Sequence, residues 1–289
     1  MTLTDYYPEF PGFQKLMPLE SIKKKVTFPM YASEKFDGVF ACAFKFGEDF
    51  HIFSRTGKEY TSMNHIAKAL KEQWPGTCLS HTGFIFEVYA FDTPQPVISG
   101  WARDTKEQHP ELVAMLHRVV NFESGQVILS NPKWHFDYPI YCVQHDLVAG
   151  LETAMEKAEA IWKSGGEGLV LDDTDLKYYP SKRNAHCIKV KQKETYDLLV
   201  LGVQEGKGKF TGMVGSLVCQ FGDGTQVTCG GMTDLERKAW WRNPSLVSGK
   251  IVEVMAMRGS SKGVLREPRF KRIREDKNTA DWSVERKDK

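Results

Sequence analysis

The sequence predicts an α+β fold in two domains. Three observations carry this. Apolar and aromatic runs of strand length recur along the whole chain. A few amphipathic helical stretches interrupt them in the first two thirds. After about residue 192 the pattern changes to closely spaced strands with one helix. At 289 residues the chain can build two domains, each with its own core.

The elements follow in order. The first thirty residues are punctuated by Pro8, Pro11, Pro18 and Pro29 around the basic triplet Lys23–Lys25, which predicts extended chain with at most one short helix. Strands are expected at Val39–Phe46 and His51–Phe53, a helix at His65–Trp74 stopped by Pro75 and Gly76, and an apolar strand at Gly83–Phe91. Pro110–Val120 reads as a second helix, with 93–109 before it as an inserted loop, and Pro139–Val148 as one strand. Leu151, Met155, Ala158 and Trp162 fall on one helical face that ends at Gly165-Gly166. Short strands are expected at Gly168–Leu171 and Cys187–Lys191. A polar connector at 192–197 leads to strands at 198–203, 214–221, 225–230, 250–257 and 269–274, with a helix near 233–241. Five strands and one helix in about ninety residues suit a small, partly open barrel of the OB type.

Composition narrows the function classes. With 41% hydrophobic and 26% charged residues, disorder, collagen and coiled coil are set aside. No apolar run reaches membrane-spanning length, and MTLTDYYPEF lacks the basic and apolar regions of a signal peptide, so a cytoplasmic protein is expected. The cysteines at 42, 78, 142, 187, 219 and 229 form no C-x-x-C pair, which argues against zinc or dithiol chemistry and for buried thiols. The net charge of +2 conceals an asymmetry: residues 1–192 carry 21 basic and 24 acidic side chains, and residues 193–289 carry 18 and 13. Eight basic residues lie between Arg258 and Lys277, a stripe suited to phosphates.

Several residues could carry chemistry. Lys35, in Lys35-Phe36-Asp37-Gly38, is a possible amine nucleophile. Glu87 interrupts the apolar run Gly83–Phe91, and an acid there is costly without a partner. Glu167 heads the strand at Gly168, and Lys189 and Lys191 share one face of another.

In this order, KFDG, SRTGK (Ser54–Lys58), FIFEV, YCVQHD, EGLVL, IKVK and LREPRFKRIREDK resemble the ordered motifs of the covalent nucleotidyltransferase superfamily. They are most similar to those of ATP-dependent DNA ligases of the small bacteriophage type. GKGKFTGMVGSL resembles the glycine-rich opening of a ligase OB domain and lacks the spacing of a P-loop. The resemblance implies a nucleotidyltransferase (ATP-grasp-like) domain of antiparallel sheets with flanking helices at residues 1–192, then an all-β OB-fold domain at 193–289. It implies a monomer that uses ATP and Mg²⁺, for which Mn²⁺ can substitute, and that seals nicked double-stranded DNA through lysine–AMP and adenylated-DNA intermediates.

The site residues also follow from the resemblance. Lys35 would be the nucleophile. Ser33, Glu34, Arg55, Glu87, Tyr141, Arg183, Lys189 and Lys191 would surround ATP or AMP, with positive charge from the two lysines favouring a neutral Lys35. Tyr141, or else His145, would stack on adenine. Asp37, Glu87 and Glu167 would meet the metal. Arg272, Arg274 and Lys277 would orient pyrophosphate, and Arg55, Lys58, Arg258, Arg266 and Arg269 would contact DNA. The connector at 192–197 would be the hinge for domain motion.

The chain departs from the family pattern in two places. Phe40 stands where many relatives have arginine, and Ile85-Phe86 precedes Glu87 in place of Asp-Gly. A large N-terminal DNA-binding domain is not expected. An RNA ligase or a capping-type guanylyltransferase is the alternative within the superfamily, and a non-catalytic nucleic-acid-binding protein the alternative outside it.

Overall fold

In chain order the first part of the molecule runs α1 (Leu3–Tyr6), β1 (Lys15–Pro18), β2 (Met30–Glu34), β3 (Val39–Phe46), β4 (Asp49–Ser54), β5 (Glu59–Tyr60), α2 (Asn64–Gln73), β6 (Thr82–Tyr89), α3 (Gln95–Ala102), β7 (Val113–Asn121), β8 (Val127–Leu129), β9 (Ile140–Cys142), β10 (Asp146–Val148), α4 (Leu151–Lys163), β11 (Gly168–Asp173) and β12 (Arg183–Lys191). The structure, a computed structural model, describes residues 1–23, 25–74, 81–257 and 265–284. Lys24, Pro75, Gly76, Cys78 and Arg258 lie outside the described residues. The chain divides into two units, Met1–Lys191 and Gln192–Lys289.

Two sheets build the first unit. A seven-stranded sheet has the order β5-β4-β3-β6-β7-β8 with β9 beside β7, and a five-stranded sheet has the order β1-β12-β11-β2-β10. Neighbouring strands are antiparallel except β1–β12 and β7–β9. Helical spacing buries Ile66, Ala69 and Leu70 of α2, and α3 adds Ile98 and Ala102 on the same face of the larger sheet. Beyond the other face, Phe10 and Phe13 of the N-terminal segment pack with Phe44, Phe53 and Phe122. Ala154 and Ala158 of α4 pack on Leu169, Leu171, Ile188 and Val190 of the smaller sheet. Each such phenylalanine or leucine contributes about 1.5–3 kcal/mol by leaving water.

The second unit contains β13 (Lys193–Glu205), β14 (Val214–Gln220), β15 (Gln226–Cys229), α5 (Asp234–Arg242), β16 (Ile251–Met257) and β17 (Arg266–Ile273). Its sheet has the order β15-β14-β13-β16-β17. The edges meet at a Gly230–Arg269 bridge, where Phe270 N–H donates to Gly230 O at 2.7 Å, so the sheet curls into a barrel. Thr233 caps α5 through a capping box with Glu236.

Five sequence expectations need correction. Residues Val113–Asn121 form a strand, not a helix: almost every position is buried, so the alternation that marks a strand is absent from the sequence. The expected loop at 93–109 contains α3, which starts behind Pro94. The expected strand Pro139–Val148 is two, β9 in the larger sheet and β10 in the smaller. The connector at 192–197 is mostly β13, paired from Lys193↔Met257 onward with Tyr196 buried, which leaves Gln192 alone between β12 and β13. Within α4, Leu151 is exposed and Ala154 takes its place on the buried face. Among the described residues no helix is long and apolar enough to cross a membrane, and Cys42, Cys187, Cys219 and Cys229 are buried free thiols.

Candidate active site

The site begins where β2 ends. Lys35 N–H donates to Gly168 O at 2.9 Å, which fixes the lysine beside the start of β11. Gly38 lets the following turn approach β6, since a Cβ there would lie 2.1 Å from Val88 O and 2.8 Å from Glu87 Cγ. Register then sets the opposing groups. Gly168 pairs with Lys191, Val170 with Lys189 and Ser33, and Asp172 with Cys187 and Tyr31. Cross-strand partners share a face, so these residues and Lys35 line one side of the smaller sheet. On the larger sheet Glu87 is opposite Phe40 and Met115.

Lys35 Nζ donates to Glu167 Oε2 at 2.6 Å, and Lys191 Nζ binds the other oxygen, Oε1. One carboxylate thus bridges two lysines, and the triad keeps a net positive charge. Lys35, Glu87, Arg55, Phe40, Val170, His117 and Arg118 line a cavity of about 70 Å³ that is partly open to solvent. Burial raises the Glu87 carboxyl to about 7; Lys35 opposes this, and Glu167 and Asp37 add to it by like-charge repulsion. The Arg55 guanidinium stacks 3.9 Å from the Phe40 ring centre and donates to Gln14 O at 3.2 Å. Phe40, the departure from the family pattern, therefore holds Arg55 by a cation–π contact.

The remaining expected residues lie as follows. Ser33 is buried, and its Oγ has no hydrogen-bond partner among the described residues. Glu34 alternates to the opposite face of β2, where a Cβ at Gly166 would lie 3.2 Å from Glu34 Oε1. Lys58 lines a second groove with Arg55, Arg103 and Gln95. Arg183 is exposed at the start of β12. Tyr141 is exposed and stands edge-on to Phe91, and His145 is tethered by Nε2 to His117 O at 3.0 Å; neither ring lines the main cavity. Asp37 is half-buried within electrostatic reach of Glu87.

In the second unit Arg266 and Arg269 are on β17, with Arg269 exposed. Arg274 Nη1 reaches buried Asp197 at 2.9 and 3.0 Å, and Lys277 Nζ reaches the same carboxylate at 2.6 Å. Arg272 binds Glu253 at 2.8 Å with its side chain 63% exposed. Two of the three residues expected at pyrophosphate are thus held by a buried acid of their own unit. Arg274→Ala is expected to lower Tm by roughly 5 °C, and Arg272→Ala by much less, because a surface pair contributes little. Thermal melts of the two variants check this, and equal Tm values would refute it.

Sequence reasoning missed His117, Arg118 and Asp172. Arg118 donates to both Asp172 oxygens, at 2.6 and 2.7 Å, and Arg118 and Asp172 are buried with Cys187 beside them, while His117 is half-buried. The signal was available: a charge inside an apolar run, the same argument that singled out Glu87.

Comparison with known proteins bears on the fold and on part of the chain. Residues 205–274 match the family model described as DNA ligase OB-like domain. A probable DNA ligase of Pseudarthrobacter chlorophenolicus is 26% identical over 195 residues, covering 63% of this chain and 38% of that protein. One from Beutenbergia cavernae is 28% identical over 194 residues, with the same coverage. The chain therefore spans well under half the length of these curated relatives. Among solved structures, Pmar-Lig_PreS3 superposes with TM-score 0.77 at 21% identity over 93% of this chain and 70% of that one. A Lig E DNA ligase gives 0.70 at 22% over 91% and 99%, and the ATP-dependent DNA ligase of bacteriophage T7 gives 0.52 at 16% over 91% and 99%. Residues 205–274 thus carry a DNA ligase OB-like domain, and the chain is built on the fold that ATP-dependent DNA ligases share.

Proposed function

We propose that the protein is an ATP-dependent DNA ligase that seals 5′-phosphate/3′-hydroxyl nicks in duplex DNA, with residues 1–192 as the adenylation domain and 193–289 as the OB domain. The observation that carries this reading is Lys35 held at 2.6 Å from Glu167, with Lys191 on the other carboxylate oxygen, in a cavity that Arg55 and Glu87 also line. An amine nucleophile, cations for phosphate oxygens and a buried acid are what nucleotidyl transfer to lysine requires.

Lys35 Nζ attacks the α-phosphorus of ATP. The N–P bond forms as the bond to pyrophosphate breaks, and the amine loses a proton. Lys189 and Lys191 stabilise charge on the α-phosphate, and the unpartnered Ser33 hydroxyl offers a hydrogen bond to the nucleotide. Arg55, positioned by Phe40, then receives the 5′-phosphate of the nick, to which AMP passes. The 3′-hydroxyl displaces AMP. Arg272, the most exposed of the three expected pyrophosphate contacts, is the one best able to reach an external phosphate. Arg266, Arg269 and Lys58 would bind the DNA backbone, so affinity should fall steeply with salt. Rotation about Gln192 would deliver the OB domain to ATP and then to DNA.

Among the described residues no group of three His, Cys, Asp or Glu side chains could by itself hold a metal ion, and both Glu167 oxygens bind lysines, so a divalent cation would meet Glu87 together with the oxygens of the triphosphate. Glu167 and Asp37 both raise the Glu87 carboxyl, a repulsion that a bound cation would relieve. Magnesium, when bound, supplies neutralisation of the triphosphate.

The test is incubation with α-labelled ATP and Mg²⁺, followed by denaturing electrophoresis and a nick-sealing assay. Label should be covalent, acid-labile, absent from Lys35→Ala and obtained with ATP in preference to GTP. A protein that takes no label, or takes it equally without Lys35, is not a ligase of this kind, and label from GTP alone would favour a capping-type enzyme.

A further inference from the structure

We infer that Arg118 is a positioning residue for the adenylation step: through Asp172 it holds the sheet that carries Glu87 in register with the sheet that carries Lys35, Glu167, Lys189 and Lys191. The inference rests on the proposed nucleotidyl transfer to Lys35 and adds a residue that lies in none of the family motifs.

The argument starts with a β-bulge. On β6 and β7, Phe86 pairs with Leu116 but Ile85 pairs with Arg118, so His117 is an extra residue without a partner on β6. In a regular strand His117 and Arg118 would point to opposite faces. With the bulge, both line the cavity beside Lys35, while Leu116 stays in the core on the other side of the sheet. The bulge therefore brings Arg118 to the inner face of the larger sheet, beside Ile85 and two residues along β6 from Glu87.

Across the cavity, Asp172 sits on β11, the central strand of the smaller sheet. Its register partners are Tyr31 on β2, the strand that leads to Lys35, and Cys187 on β12, which shares a face with Lys189 and Lys191. Arg118 grips Asp172 with a two-pronged fork, Nη1 to Oδ1 at 2.6 Å and Nη2 to Oδ2 at 2.7 Å. The Cys187 thiol donates to Asp172 Oδ1 at 2.9 Å and accepts from Arg118 Nη1 at 3.8 Å. Arg118 is 8% exposed and Asp172 4%. One guanidinium thus fixes three strands from two sheets: β7 pairs with the strand of Glu87, β11 begins directly after Glu167, and β12 carries Lys189 and Lys191.

A buried ion pair is a poor device for stability, since well-packed apolar residues of similar volume often serve as well or better. Its distinctive property is geometry: the fork accepts a carboxylate in one plane and at one distance. Nucleotidyl transfer depends on in-line placement, where an error of about 1 Å can cost 10²-fold in rate. The groups that must be mutually placed, Glu87 on one side and Lys35 with its lysine neighbours on the other, are on the two sheets that this pair joins.

The test compares Arg118→Met/Asp172→Leu and Arg118→Lys with the unaltered full-length protein, by thermal melting and by single-turnover lysyl–AMP formation over a range of ATP concentrations. The double variant is expected to melt cooperatively near the parent Tm. It should form lysyl–AMP at least about tenfold more slowly at saturating ATP, with the half-saturating ATP concentration changed less than about threefold. Arg118→Lys, which keeps the charge and loses the fork, should recover only part of the rate. A folded double variant that adenylates at the parent rate would overturn the inference. So would failure of both variants to fold, which would assign the pair to core stability alone. If the unaltered protein takes no label, the ligase reading itself fails and this inference with it.

Discussion

Glu167→Gln is expected to destabilise the folded protein by about 3 kcal/mol, whereas Lys35→Ala should leave stability within about 1 kcal/mol of the parent. Both should abolish lysyl–AMP formation. The asymmetry comes from the ion triad. Among the described residues Glu167 is the carboxylate that both Lys35 and Lys191 bind, and the three side chains are 10%, 16% and 15% exposed. Removing its charge leaves two ammonium groups facing each other with little water to screen them. Removing Lys35 leaves the Glu167–Lys191 pair in place. The figure is set at the low end of the range for broken buried pairs because the lysines retain some solvent contact. Urea titrations at pH 7 measure it, and equal midpoints for the two variants would show that the triad is solvated and contributes no such energy.

The elements were legible where local pattern and burial agree. Val39–Phe46 is a strand with the bounds read from its aromatic run, and the five strands and single helix after residue 192 appear at nearly the expected places. These segments carry turn residues at both ends and enough polar positions to show their period. Val113–Asn121 failed for the opposite reason. Packed on both faces, it keeps apolar residues at nearly every position, and period 2 cannot be told from period 3.6. Polar Lys193–Asp197 failed because a strand held by a regular ladder tolerates charges that read as a linker.

The site was legible in a similar way. Residue types with unusual chemistry on apolar strands stand out one at a time: Lys35, Glu87, Glu167 and Lys191 are brought together at the cavity or in the triad beside it. What escapes is any feature created by a pairing irregularity. His117 and Arg118 are adjacent in sequence, so regular strand geometry forbids a shared face, and only the bulge against Ile85 and Phe86 reverses that. The value of Phe40 was equally hidden. In the sequence it is a missing cation; in the fold it is the surface on which Arg55 rests. Tyr141, the expected stacking partner for adenine, has an exposed ring that stands edge-on to Phe91 and does not line the main cavity, a placement that its motif alone does not reveal.

Glu87 and Glu167 flank the same lysine, yet their substitutions should act with opposite sign. Glu87→Gln is expected to stabilise the folded protein at pH 8, by up to about 3 kcal/mol, while slowing lysyl–AMP formation by about 10²-fold. Burial, with repulsion from Glu167 and Asp37, raises the Glu87 carboxyl from its ordinary 4.5 to about 7 despite the opposing pull of Lys35. Between those two values the folded protein keeps a proton that the unfolded chain has released. Unfolding therefore releases that proton and becomes easier as pH rises through the window. The cost of the charged carboxylate is absent below about 4.5 and complete above about 7. A glutamine of the same shape does not titrate, so the variant should lose no stability on this account. Urea midpoints for the two proteins in metal-free buffer should converge at pH 4.5 and separate at pH 8, with the variant higher. If Glu87→Gln were the less stable protein at pH 8, the carboxylate would have to be stabilised where it sits, and the site would hold an energetically satisfied acid instead of a strained one. The strain matters to function because a cation or a nucleotide hydroxyl that meets the Glu87 carboxylate relieves it. Binding is then favoured by the same energy that the buried charged carboxylate costs the fold.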